Sequence, residues 1–370
     1  MNFDLSKTQK MLQESARTFF QRECPITKVR EIIESEHGND KALWEGIAEQ
    51  GWTGLTLPED YDGLDLSLVD LAAVAEEMGR ACLPSPFIAS TWAASLIAAS
   101  ENEELKGKLL PGLALGESIA TVAMLEEGSN WDSSTVQLGA AAGESGVVLS
   151  GSKKLVLDAA SANTILVVAR KGDELIVSAV DSSEEGITIS ATSGMDLTRR
   201  YYRVDFEKVA AQVLASGAVA ESALKRSIQV GIIVACADML GGMEWALKTT
   251  VEYARTRQQF DKPIGSYQAV QHQCADMLLA NESARSATYY AAWALNENDP
   301  AADEAISIAK AYCSEAARLV GNSGIQIHGG IGFTWEHDLH LYYKRAKSNE
   351  LLFGDESYHR ELIAQLILDK

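Results

Sequence analysis

The chain has 370 residues, of which 46% are apolar, and a formal net charge of −20. That length predicts about two or three domains with enough interior for a large core. The excess of acids argues against nucleic acid or anionic lipid as the main partner, although a local arginine cluster can still oppose the field. No window holds the roughly 18 uninterrupted apolar residues of a membrane span.

The opening "MNFDLSKTQKML" has neither the basic-then-apolar plan of a signal peptide nor the Arg/Ser bias of a transit peptide, so a cytoplasmic location is expected. From Asp4, Leu5, Met11, Leu12, Ala16, Phe19 and Phe20 recur near a 3.6 period and predict a helix. "LSLVDLAAVAEEMGRAC" and "SPFIASTWAASLIAA" continue that pattern, while the Gly-, Pro- and acid-rich "GWTGLTLPEDYDGLDLS" reads as a loop. Residues 1–115 therefore form a helical domain.

Near Gly116 the character changes. "SIATVAML", "GVVLSGSKKLVL", "TILVVARK", "ELIVSAV", "GITIS" and "YYRVDFEKV" are short β-branched runs split by Gly, Asp and Ser. They predict an antiparallel β-barrel or sandwich over 116–215. From Ala218 three helical patterns of more than twenty residues each follow, predicting a C-terminal helical bundle over 216–370 with faces left for oligomer contacts. The fold class is α+β.

Cys24, Cys82, Cys236, Cys274 and Cys313 are far apart and form no Cys-x-x-Cys, which points to reduced, buried thiols and no metal site. His337 and His340 are three apart and could share a helical face, an arrangement far more often structural than metal-binding.

Two stretches depart from the plain bundle pattern. In "YARTRQQFDKPIGSYQAVQH", Arg255 and Arg257 end a helix, a Pro-Ile-Gly turn follows, and Tyr267 and Gln268 open the next helix. In "GIQIHGGIGFTWEHD", Gly329 and Gly330 let backbone approach something flat or anionic. Taken singly, arginines at a helix C-terminus suit the dipole and Gly-Gly is an ordinary loop.

Together with "GLTLPEDYDGLDL", "VVLSGSKKLVL" and "QIHGGIGFTWEHDLHLYYKRAK", these stretches resemble the acyl-CoA dehydrogenase family over nearly the whole chain. The resemblance implies a helical domain, a middle β domain and a C-terminal four-helix bundle, with FAD between the β domain and the bundle. It places Arg257, Gln259 and Phe260, with Gln268, on the ADP half of a neighbouring subunit's FAD, and Gln326, Gly329 and Gly330 near its pyrophosphate or adenosine. A guanidinium and unengaged backbone N–H groups suit a diphosphate. An acyl-CoA substrate and an electron-transfer flavoprotein are the implied partners.

The family's reaction removes an α-proton from an acyl thioester as the β-hydrogen leaves as hydride to flavin. Most members place the basic Glu in a Tyr-Glu-Gly-Thr segment; here that segment reads "LLFGDES", so Phe353 takes the place of the base and Asp355 that of the threonine. Asp355 and Glu356 precede an apolar helical run and read as a helix start. Some members carry the Glu on the first bundle helix, where Gly231 stands here, with Gln229 and Ile232 replacing the substrate-binding acid and arginine; Glu221 lies more than two turns away. The flavin-facing segments depart as well, Leu125–Asp132 reading "LEEGSNWD" and Leu155–Asp158 reading "LVLD".

This pattern resembles the small, non-catalytic subunits of heterotetrameric bacterial acyl-CoA dehydrogenases, which implies a larger catalytic partner subunit. Two other readings stay open from the sequence. One is a self-sufficient homotetramer with Asp355 as an unusual base, and the other a scaffold that has lost FAD.

Overall fold

The structure is a computed structural model that describes residues 4–36, 38–143 and 146–368. The first three residues of the opening stretch lie outside them. Six helices come first: α1 (Lys7–Glu23), α2 (Ile26–Ile33), α3 (Lys41–Glu49), α4 (Leu68–Arg80), α5 (Phe87–Ala98) and α6 (Glu103–Ala114). The strands are β1 (Ala120–Ala123), β2 (Ala140–Gly143), β3 (Gly146–Leu157), β4 (Thr164–Lys171), β5 (Glu174–Asp181), β6 (Ile187–Thr192) and β7 (Tyr201–Ser216). Then come α7 (Gly217–Thr256), a small hairpin of β8 (Gln258–Gln259) and β9 (Lys262–Pro263), α8 (Gln268–Asn296), α9 (Ala302–His328), α10 (Leu339–Leu351) and α11 (Glu356–Leu368).

Packing divides the chain into two compact units: residues 1–31, 68–83 and 232–370 form one, and 32–67 and 84–231 the other. The second unit holds a seven-stranded sheet in the order β1-β4-β5-β7-β3-β2, with β6 also paired to β7. Its core is aliphatic and aromatic, drawn from alternate positions such as Val147 and Leu149, Ile165 and Val167, and Val204 and Phe206. The long strand β7 pairs with β3 over Tyr201–Ala211, with β6 over Tyr201–Phe206 and with β5 through Gln212–Ser216, so one strand joins two sheet faces.

One expectation is corrected here. The sheet is mixed, because β1 runs parallel to β4, with Ala120 opposite Thr164. The other pairings are antiparallel. β2 and β3 intervene between β1 and β4 in sequence, which gives the chain room to return in the same direction.

The first unit is a helical bundle. Gly79 on α4 lies against the α7 backbone so closely that a Cβ there would overlap the Asp238 carbonyl. Beside that contact, Arg345 of α10 donates to Asp238 at 2.6 and 2.9 Å and to the Leu83 carbonyl at 2.8 Å, and Asn349 donates to Asp238 at 2.6 Å. A second buried network joins α1, α4, α7 and α8: Arg17 and Arg80 on Glu77, Arg80 and Arg285 on Glu244, and Arg285 and Tyr289 on Glu76. Burial pushes the Glu76 carboxyl up, against the pull of Arg285.

Helix α7 does carry an 18-residue window of mean hydropathy 1.5, enough by length and composition to cross a membrane. Of that window 83% is buried inside the protein, which marks a core helix. All five cysteines are free, four of them buried and Cys274 partly so.

Candidate functional site

The helical unit brings the two unusual stretches to one end of the bundle. The ring of Tyr253, one turn before Arg257, stacks on His328 at 4.4 Å, and its hydroxyl donates to the His328 carbonyl at 3.5 Å. The ends of α7 and α9 are thereby tied, with Arg257 just past one and Gly329 just past the other.

Past α7 the chain reverses through the β8–β9 hairpin, whose turn residues Phe260 and Asp261 both have positive φ, 56° and 62°. The turn leaves the Phe260 ring 86% exposed. Arg257 is exposed and makes no ion pair among the described residues. The Gln259 carbonyl accepts from Tyr267 at 3.2 Å, and Gln268 is the exposed first residue of α8.

Helix α9 runs through Gln326 to His328 and ends where the Gly-Gly pair begins. Gly329 then takes φ 65°, ψ −141°, a conformation open essentially to glycine alone, and its N–H returns to the Gln326 and Ile325 carbonyls. A Cβ on Gly329 or Gly330 would meet nothing within 4 Å.

At the other end of interest, Phe353 is fully buried and sits at φ 63°. Its carbonyl accepts from His359 Nε2 at 2.9 Å, and Lys310 Nζ donates to the Gly354 and Glu350 carbonyls at 2.7 and 2.9 Å. Burial pushes the Lys310 ammonium down to about 8. Asp355 Oδ1 accepts the Tyr358 N–H at 2.9 Å, which makes it the cap of α11, and Glu356 pairs with Arg318 at 3.0 Å. Both acids are used structurally.

In the β-rich unit, Glu126 accepts from the Gln137 and Leu138 N–H groups at 2.9 Å and from the fully buried Lys153 at 2.6 Å. Burial holds Lys153 down to about 8, and the lysine also donates to the Met124 carbonyl at 2.9 Å. Asp132 caps the turn that follows through the Ser134 N–H, and the Trp131 ring lies 5.8 Å from that of Trp92. Leu155 and Asp158 both have positive φ, and Leu155 is 49% exposed. Gly231 and Gln229 lie within α7, as does the exposed Glu221.

Sequence reasoning missed Lys153 and Lys310 as fixtures of these segments. A signal for each was present: Lys153 falls on the inward parity set by Val147 and Leu149, and Lys310 is a lone cation among Ile306, Ala309 and Cys313 of α9. The histidine expectation is corrected too. His337 precedes α10 and accepts the Leu339 N–H at 3.1 Å, whereas His340 lies within α10 against Trp335, so the two do not share a helical face. Among the described residues no cluster of three or more His, Cys, Asp or Glu is placed to hold a metal.

Residues 6–117 match the family profile "Acyl-CoA dehydrogenase, N-terminal domain" and residues 221–368 match "Acyl-CoA dehydrogenase, C-terminal domain". The chain is 30% identical over 361 residues to the acyl-CoA dehydrogenase IpdE2 of Mycobacterium tuberculosis, covering 97% of this chain and 96% of that protein. Among solved structures it is similar to a chain of the ChsE4-ChsE5 complex from Mycobacterium tuberculosis, with a TM-score of 0.91, 26% identity and full coverage of both chains. It is also similar to a variant of the Tcur3481-Tcur3483 steroid ACAD, with a TM-score of 0.89 and 30% identity over 98% of each chain. This chain belongs to the acyl-CoA dehydrogenase family of FAD-dependent oxidoreductases acting on acyl-CoA.

Proposed function

We propose that this chain is the non-catalytic β subunit of an α2β2 acyl-CoA dehydrogenase, lending the ADP-facing half of a FAD site to a larger catalytic subunit. The observation that carries the reading is Phe353. The family's desaturation needs a carboxylate against the α-carbon of the thioester, in surroundings that raise its pKa toward working pH. This chain offers a buried phenyl ring at that position, and the next acid, Asp355, spends its carboxylate on the first turn of α11.

FAD supplies the hydride acceptor when bound. The residues present fit its ADP half: Arg257 would hold the diphosphate beside the open backbone at Gly329 and Gly330, the Gly329 N–H itself being taken by the end of α9, and Phe260, Gln259, Gln268 and Gln326 would line the adenosine. Acyl-CoA and an electron-transfer flavoprotein are the partners of the assembled enzyme, in the cytoplasm. That a similar chain belongs to the ChsE4-ChsE5 complex supports a heteromeric assembly.

Expressed alone, the chain should purify colourless and inactive. With a larger relative that keeps Tyr-Glu-Gly-Thr, it should form a yellow complex that turns over acyl-CoA. A yellow homo-oligomer with full turnover contradicts the reading. In the complex, Arg257→Ala should weaken FAD retention by about 1–3 kcal/mol, the value of one charge-assisted hydrogen bond, as read by flavin content after dialysis.

A further inference from the structure

The helical unit contains a cleft of about 720 Å³ that none of the FAD-directed residues above lines. Its size falls in the range of about 300–1,000 Å³ typical of small-molecule sites. Helices α1, α4 and α7 and the segment after α9 enclose it, all within one compact unit.

Two stacked pairs of rings form its walls. Trp245 lies on Tyr342 with centroids 3.8 Å apart and planes 8° from parallel, and Tyr253 lies on His328 at 4.4 Å and 23°. Flat rings held by each other present rigid aromatic surface at low entropic cost, which suits a flat guest. The charged lining is unequal in its commitments. Arg17 and Arg80 are both engaged with Glu77, whereas Lys248 and Glu252, one turn apart on α7, form no ion pair among the described residues. The charged lining residues Arg17, Arg80, Lys248, Glu77 and Glu252 leave one net positive charge beside the stacked rings, which matches one negative charge on a planar body despite the acidic balance of the whole chain.

We propose that this cleft is a binding site for a planar aromatic or polycyclic monocarboxylate, its ring against Trp245 and Tyr253 and its carboxylate on Lys248. The site is separate from the FAD half-site, although its His328 wall immediately precedes Gly329.

The test uses the full-length chain saturated with FAD and its partner subunit, with 2-naphthoate as the probe and 2-naphthol as the same ring without the charge. Calorimetry should give saturable 2-naphthoate binding with a Kd below about 1 mM, and binding of 2-naphthol about tenfold weaker. Lys248→Gln should weaken 2-naphthoate about tenfold and leave 2-naphthol unchanged. Thr249→Trp, which fills the cleft from α7, should abolish both. Lys248 is on the surface, so its substitution reports binding even if the cleft-filling variant folds poorly. Absence of saturable binding, or binding indifferent to Lys248→Gln, overturns the proposal.

Discussion

Asp238→Ala should lower the unfolding free energy by about 3–5 kcal/mol, the cost of leaving a buried charge without its partner. Arg345 is 7% exposed and donates twice to Asp238, and Asn349 adds a third donor to the same carboxylate. Removing the carboxylate strands the guanidinium where water cannot reach it, with only the Leu83 carbonyl among its partners named above. The loss also loosens α10 from α7, and α10 leads directly into the segment carrying Phe353. Urea denaturation followed by circular dichroism measures the change. A shift under about 1 kcal/mol would mean that the pair is far better hydrated than its burial states.

His359 should make the fold sensitive to acid between pH 6.5 and 4. Its Nε2 donates to the Phe353 carbonyl, so the neutral ring carries its lone pair on Nδ1, which is buried and without a hydrogen-bond partner. A second proton has no acceptor there. Burial first, and the nearby Lys310 ammonium next, push the imidazole down to about 4, against the smaller opposing pull of the Phe353 carbonyl and Asp355. The unfolded chain therefore binds the proton that the folded chain refuses, and stability rises with pH across this window. Its full value, about 2–4 kcal/mol, is present above pH 6.5 and is lost as pH falls through 4. His359→Gln, which keeps a donor for the carbonyl, should flatten the acid limb of a stability-against-pH curve by that amount. An unchanged limb would assign the acid sensitivity to other groups, such as His340, which burial also holds down to about 4.

Much of this fold was legible in the sequence because its long elements carry long signals. Helices α7, α8 and α9 span 40, 29 and 27 residues, enough turns for the 3.6 period to stand out. The direction of β1 was not legible: four buried residues, Ala120–Ala123, fit a parallel or an antiparallel neighbour equally well. In the motif "HLYYKRAK", Arg345 looks like any surface cation, and its burial depends on Asp238 more than a hundred residues earlier. Lys310 likewise reads as an interruption of an apolar face until the Glu350 and Gly354 carbonyls come round to it. At the candidate site, residue types were legible and geometry was not. The sequence presented Gly329 and Gly330 as glycines, whereas the open space in front of them exists only in three dimensions. The helix-start reading of Asp355 and Glu356 rested on local chemistry, and the cap on Tyr358 N–H has the same local origin.

The proposed vacancy at the base position is tested most directly by steady-state turnover of the proposed assembled enzyme carrying Asp355→Asn, at saturating acyl-CoA. If Asp355 is only a helix cap, kcat stays within a few-fold, with about 0.5–2 kcal/mol of stability lost through the weaker cap. Removal of a true base costs about 10²–10⁴ in rate. A drop of about a hundredfold or more, with FAD content and oligomeric state unchanged, would make Asp355 the proton acceptor and contradict the account.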